Sequence, residues 1–114
     1  MQTRIVVQRE DFSLADEYAR LAGDASVGAI VAFVGRVRDL AGVAALELEH
    51  YPGMAEKQLS AIAAQAGERW PISAATVIHR VGRMEAAEQI VLVLTASAHR
   101  RAAYEANEFI MDFL

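Results

Sequence analysis

A chain of 114 residues and 12.4 kDa has room for one domain around one core, residues 1–114. With 54% hydrophobic residues but only 7% aromatics, it is too apolar to be disordered and has to build its core from aliphatic side chains. A formal charge of −4 is a poor match to bulk binding of nucleic acid or anionic membrane, and a sequence without cysteine excludes disulfides, thiolate metal sites and cysteine nucleophiles.

The N-terminus lacks the basic start, long apolar run and small-residue cleavage site of a signal peptide, and no apolar run approaches the ~20 residues of a membrane helix, so a cytoplasmic protein is expected. Arg4 to Gln8 is short and β-branched, a strand. Ser13-Leu-Ala-Asp16 reads as a helix cap, and Leu14, Tyr18, Leu21 and Ala22 at helical spacing predict a helix over about 13–22 ending near Gly23. The continuous apolar run Val27 to Val37 predicts a strand covered on both faces and central in its sheet. After a turn at Asp39-Leu-Ala-Gly42, Ala45 to His50 alternates, with Leu46, Leu48 and His50 on one face and Glu47 and Glu49 on the other, the second arm of a hairpin. Pro52-Gly53 breaks the chain. Leu59, Ile62, Ala66 and Trp70 then predict a helix over about 54–69 that Pro71 stops. Ala75 to Val81 and Gln89 to Ala98 predict a second strand pair around a turn at Gly82 to Glu88, and Ala103, Ala106, Ile110 and Phe113 form one stripe of a last helix. The order is β-α-β-β-α-β-β-α: an α+β domain with a mixed sheet and helices packed on one side of it. The last helix ends at Phe109-Ile-Met-Asp-Phe-Leu114 with no glycine cap and no basic last turn, so the expectation is that something else covers its end or that the natural chain continues.

Of the eleven basic residues only Lys57 is a lysine, so the chain offers bidentate grips for phosphate or carboxylate and almost no amine chemistry. Lys57 itself reads as a solvated surface residue. Ser97-Ala-His99-Arg100-Arg101 places basic side chains where a buried strand enters the last helix. A helix N-terminus already carries partial positive charge, so this clustering is unfavourable until an anion arrives. The competing reading is that Arg100 and Arg101 reach solvent or pair with Glu105. Gly35-Arg36-Val37-Arg38 is the second candidate: two arginines two apart share a strand face, and Gly35 lets a ligand or backbone come close. Against it, Glu47 and Glu49 on the hairpin partner are able to pair with both arginines. His50, His79 and His99 fall on different elements without metal-ligand spacing, so no metal site is expected, and His50 and His79 read as structural.

Taken together, Gly28-Ala-Ile-Val-Ala-Phe-Val-Gly-Arg-Val-Arg38, Leu48-Glu-His-Tyr-Pro-Gly-Met54, Thr76-Val-Ile-His-Arg80, Ser97-Ala-His-Arg100 and Phe109-Ile-Met-Asp112 resemble, in order over nearly the whole chain, the large catalytic subunit of molybdopterin synthase. The resemblance implies an α/β hammerhead fold, a homodimer and a ubiquitin-like sulfur-carrier small subunit whose C-terminal thiocarboxylate enters the active site. It implies sulfurtransferase activity on cyclic pyranopterin monophosphate (precursor Z), forming the dithiolene of molybdopterin, with no cofactor. It also implies substrate contacts at Arg36, Val37, Arg38, His99 and Arg100, with Phe33 and Met111 as apolar neighbours, in a pocket near the dimer interface.

Three departures from the family stand out. The turn Asp39 to Ala45 is shorter than usual, Ala86-Ala87 replaces a Pro-Gly turn, and the family's catalytic lysines lie in a basic segment for which positions up to Leu114 offer no match. Two alternatives follow: a short form that binds the carrier or dimerises without turnover, and a generic phospholigand-binding domain.

Overall fold

The protein is described by a computed structural model that covers residues 1–39, 41–43, 45–51 and 53–114. Leu40 of the expected turn, Ala44, and Pro52 of the expected break lie outside the described residues. The elements are β1 (Gln2–Gln8), α1 (Leu14–Ala22), β2 (Ala29–Arg36), β3 (Leu46–Leu48), α2 (Met54–Arg69), β4 (Ile72–Arg80), β5 (Gly82–Met84), β6 (Gln89–Ser97) and α3 (Arg100–Met111). This is the expected α+β order with one strand more, because the expected turn at 82–88 begins with the short β5. No helix among the described residues is long and apolar enough to cross a membrane.

Helix boundaries follow local chemistry. Ser13 caps α1, its Oγ accepting the Asp16 N–H at 3.2 Å. At the start of α2, Gly53 takes φ +82°, and the Glu56 carboxylate reaches back to accept its N–H at 2.6 Å and meets His50 Nε2 at 2.6 Å. Pro71 follows α2 because proline cannot continue a helix. The end of α3 closes on itself: Phe113 N donates to Ile110 O and Leu114 N to Met111 O, while the Phe113 ring packs edge-on against Phe109.

The strand pairing keeps one expected hairpin, β4 antiparallel to β6, and departs from the other. The main sheet has the order β1-β4-β6-β2, with β1 and β4 parallel and the other pairs antiparallel, and β3 pairs with β5 in a separate two-stranded sheet. So β2 is an edge strand, not a central one. Its apolar run is explained by its faces: Phe33 packs into the core shared with α2 and α3, while Ile30 and Val34 pack into the core shared with α1. Hydrophobic pattern reports which faces are covered and is blind to whether the in-plane edge is hydrogen-bonded. The pairing expected between β2 and β3 is not made among the described residues: β2 pairs with β6, and β3 pairs with β5 instead.

Helices cover both faces rather than one. Leu59, Ala63 and Ala66 of α2 and Ala102, Ala106 and Ile110 of α3 meet Ala75, Val77, Val91 and Val93 on one side. Leu21 of α1 and Phe12 meet Ala74, Ile78, Leu92 and Leu94 on the other. The apolar stripe expected on α1 is only partly buried: Leu14 and Tyr18 are exposed, and Glu17 goes in with Leu21. Glu17 is able to do so because Arg4 Nε donates to its Oε1 at 2.8 Å.

Candidate functional site

The first arginine cluster sits where β2 loses register with β6, between Gly35 and Arg36. Val37 turns inward, donating its N–H to Glu88 O and accepting from Ala87 N, both at 2.8 Å. Arg36 and Arg38 flank it and point outward. Arg36 donates Nε and Nη2 to the single Ala87 carbonyl, at 3.2 and 3.1 Å. Among the described residues Arg38 has neither a hydrogen bond nor an ion pair. Together with Val37, Asp39, Ala86 and Ala87 the two arginines line an open cleft of about 440 Å³. The competing reading, pairing with Glu47 and Glu49, falls with the hairpin: Glu47 lies opposite Arg83 in the small sheet. Gly35 does admit a close neighbour, but it is the Val91 side chain, which an added Cβ would meet at 2.7 Å.

The cleft's far wall is a turn at Glu85–Glu88 closed by Glu88 N donating to Glu85 O at 3.1 Å, with Ala87 at φ +75°. The signature is that of a type II turn, which ordinarily uses glycine at this position. Glu88 braces it a second time, its Oε2 accepting the Glu85 N–H at 2.7 Å. Behind the turn lies Arg80, 6% exposed. Its Nε donates to Arg9 O at 3.0 Å and its Nη1 to Gln89 O at 2.9 Å and Glu88 Oε1 at 3.3 Å. Asp11 Oδ1 adds the Gln89 amide at 2.9 Å. The Glu85 backbone N–H holds the Glu88 carboxyl below its ordinary range, against some desolvation and with help from Arg80. The Gln89 amide does the same for Asp11, again against desolvation, with the Phe12 N–H and the Arg80 charge assisting.

The second cluster is the turn from β6 into α3. Ser97 Oγ donates to Pro71 O at 2.9 Å and accepts the His99 N–H at 3.4 Å. Gly28 donates its N–H to Ser97 O, and a Cβ on it would lie 2.1 Å from Ala98 O, so only glycine fits there. His99 occupies the N-cap without a side-chain capping bond, and no acidic residue sits in the first turn. The helix N-terminus is therefore left positive, with exposed His99 and Arg100 around it. Arg101 approaches Glu105 only to 4.0 Å with its side chain 87% exposed, a pair worth little in water.

Of the two apolar neighbours, half-buried Phe33 faces Val93 across β2 and β6, and half-buried Met111 is the last residue of α3. Neither lines the Arg36 cleft. The two clusters lie at opposite ends of β2: Arg36 pairs with Gln89, and Ala29 with Ser97. At about 3.3 Å per residue they are ~23 Å apart along the strand, too far for one phosphate.

His50 pairs with Glu56, and His79 Nδ1 lies 2.9 Å from Arg80 O. No group of three metal-ligating side chains gathers among the described residues. Lys57 is exposed on α2. Two larger clefts of about 550 Å³ carry mixed charge, one lined by Arg9, Glu47, Glu49 and His50 and the other by Arg4 and Arg20 beside Glu17. Neither concentrates unpaired cations as the Arg36 cleft does.

Sequence reasoning found Arg36, Arg38, His99 and Arg100 through spacing and the helix terminus. It gave no task to Arg80, Glu88 or Gly28, whose importance lies in what they touch; Gly28 and Arg80 stood there only within the family strings, and the turn only as Ala86-Ala87 in place of Pro-Gly.

Comparison with known proteins adds four findings. A family model described as MoaE protein matches residues 7–114. A molybdopterin synthase catalytic subunit from Vibrio cholerae serotype O1 is 55% identical over 117 residues, covering 100% of this chain and 78% of that protein. Among solved structures, a molybdopterin biosynthesis MoaE protein from Burkholderia ambifaria superposes with a TM-score of 0.92 at 51% identity, covering 99% of this chain and 76% of that one. Molybdopterin synthase from Staphylococcus aureus superposes at 0.83 with 33% identity, covering 98% and 82%.

Proposed function

The chain belongs to the MoaE protein family, and from that premise we propose that it is the large, catalytic subunit of a molybdopterin synthase, acting in the cytoplasm. In this role it binds cyclic pyranopterin monophosphate and receives sulfur from a thiocarboxylated ubiquitin-like small subunit, in two transfers that build the dithiolene. The observation that carries the reading is the family match over residues 7–114, with relatives of that name above 50% identity across the chain.

The residues described here do the gripping. Arg38, beside an open cleft and without a partner among the described residues, offers a bidentate guanidinium to the phosphate. Arg36 has two N–H groups spent on Ala87 O and presents the rest of its fork from a fixed position. Val37 sets the spacing between them by anchoring inward. His99 and Arg100 bring charge to the uncapped end of α3, which suits an anion for the same reason it disfavours neighbouring cations. Because the clusters stand at opposite ends of β2, one phosphate uses both only when two chains meet. The site is then shared across a homodimer, Arg36, Val37 and Arg38 of one protomer facing His99 and Arg100 of the partner subunit. The outer edge of β2, unpaired among the described residues, leaves room for such a contact.

The test is reconstitution of the natural protein, with any residues that follow Leu114, together with thiocarboxylated small subunit and precursor Z, following dithiolene product. Product formation is the expected result. Complex formation with bound precursor and no product would make the chain a binding module instead.

A further inference from the structure

Arg80 is the one arginine of the described chain that is fully enclosed, and the substrate reading gives it no task. All its recorded bonds point at the segments behind the cleft: Arg9 O, Gln89 O and Glu88 Oε1. Glu88 passes the hold forward by closing the Glu85–Glu88 turn through the Glu85 N–H. That turn carries Ala87 in a left-handed conformation, φ +75°, which strains an L-residue. The strained residue is the one whose carbonyl receives both Arg36 bonds and whose N–H meets Val37 O. A buried arginine paired with a half-exposed carboxylate, a twice-braced turn, an unfavourable backbone angle and the aim of a surface arginine thus form one connected chain of contacts.

We propose that Arg80 and Glu88 are positioning residues for the anion-binding cluster, acting through the Glu85–Glu88 turn to hold Ala87 O against Arg36 and so fix the fork beside Arg38. The inference rests on the substrate-site reading above and deepens it. Neither residue touches substrate; they keep Arg36 from sampling the many rotamers of an exposed arginine, an ordering cost that binding would otherwise meet each time. The bracing also has to be rigid at its root to serve. Arg80 is enclosed, and its partners include two backbone carbonyls that cannot swing away.

The test uses the natural protein, with any residues that follow Leu114, in complex with thiocarboxylated small subunit. Glu88→Gln keeps the shape of the side chain but weakens its hold on both Arg80 and the Glu85 N–H. The loss of one to two charge-assisted bonds predicts about a five- to tenfold rise in KM for precursor Z, with kcat within about twofold. The same change should speed hydrogen exchange at Arg36 Nε–H, followed by arginine-labelled NMR, by about tenfold. Ala86→Pro with Ala87→Gly, a pair preorganised for this turn type, should recover both readouts in the Glu88→Gln background. Exchange and KM unmoved by Glu88→Gln overturn the inference, as does a fall in kcat and thermal stability that the turn pair does not recover. The Arg36→Ala and Arg38→Ala controls separate the two levels. If neither raises KM, the substrate site is wrong and this inference goes with it; if they raise KM and Glu88→Gln does not, only the positioning role fails.

Discussion

At the scale of single residues, the arginines divide by what surrounds them. Arg80 is consumed by structure, Arg36 is half consumed, and Arg38 and Arg100 have no partner among the described residues. In a desolvated phosphate site, Arg38→Ala and Arg100→Ala should each weaken precursor Z binding by about 2–5 kcal/mol, measured by calorimetry on the complex; unchanged affinity in both would rule the site out. Gly28→Ala is expected to act indirectly. The Cβ would collide with the Ala98 backbone carbonyl, which has no rotamer to yield, so the turn that presents His99 and Arg100 has to shift. A loss of about 1–3 kcal/mol in urea unfolding is expected, with weaker precursor binding alongside. The candidate arginines were legible because spacing and a helix start are one-dimensional facts. Arg80 was not, since its role depends on Arg9 and Glu88 from two other segments.

At the scale of elements, helix bounds were the most readable feature because caps and breakers act within a few residues: α2 spans the expected 54–69, and α1 begins after Ser13. Which face of a helix is buried was less readable. On α1 the tertiary partner Arg4 pulled Glu17 inward and left Tyr18 out. On α3 the buried set includes Asn107, whose Nδ2 donates to Val31 O, Val93 O and Thr95 Oγ1, tying the helix to both strands beneath it. Asn107→Ala should cost about 1–3 kcal/mol in chemical denaturation. The turn before β6 gives the opposite sign: Ala87→Gly alone should stabilise by up to about 1 kcal/mol by relieving the left-handed strain. Its bracing also sets an acid response. Glu88 and Asp11 have folded pKa values below their unfolded ones, so the stability they contribute is present above about pH 4 and is lost as pH falls through the folded values. Thermal melts between about pH 4 and 2 should fall more gently for Glu88→Gln than for the native sequence.

At the scale of the whole molecule, the separation of the two basic clusters along β2 makes a sharp prediction about assembly. Arg38→Ala and Arg100→Ala chains, each inactive alone, should recover about a quarter of native activity when unfolded and refolded together as an equal mixture, because half the dimers are mixed and each mixed dimer holds one intact shared site. No recovery, with mixed dimers present, would place each site within one protomer. By itself the sequence determined the α+β content, the apolar faces, the helix ends and the two arginine clusters, all of which arise from periodicity or from neighbours a few residues apart. Only the tertiary structure decided that β2 lies at an edge, that β3 pairs with β5, that helices cover both faces, and that Arg80 stands behind Arg36. Those outcomes depend on which distant segments occupy a strand's hydrogen-bonding edge or a side chain's last free valence. An apolar pattern along one segment carries no record of either.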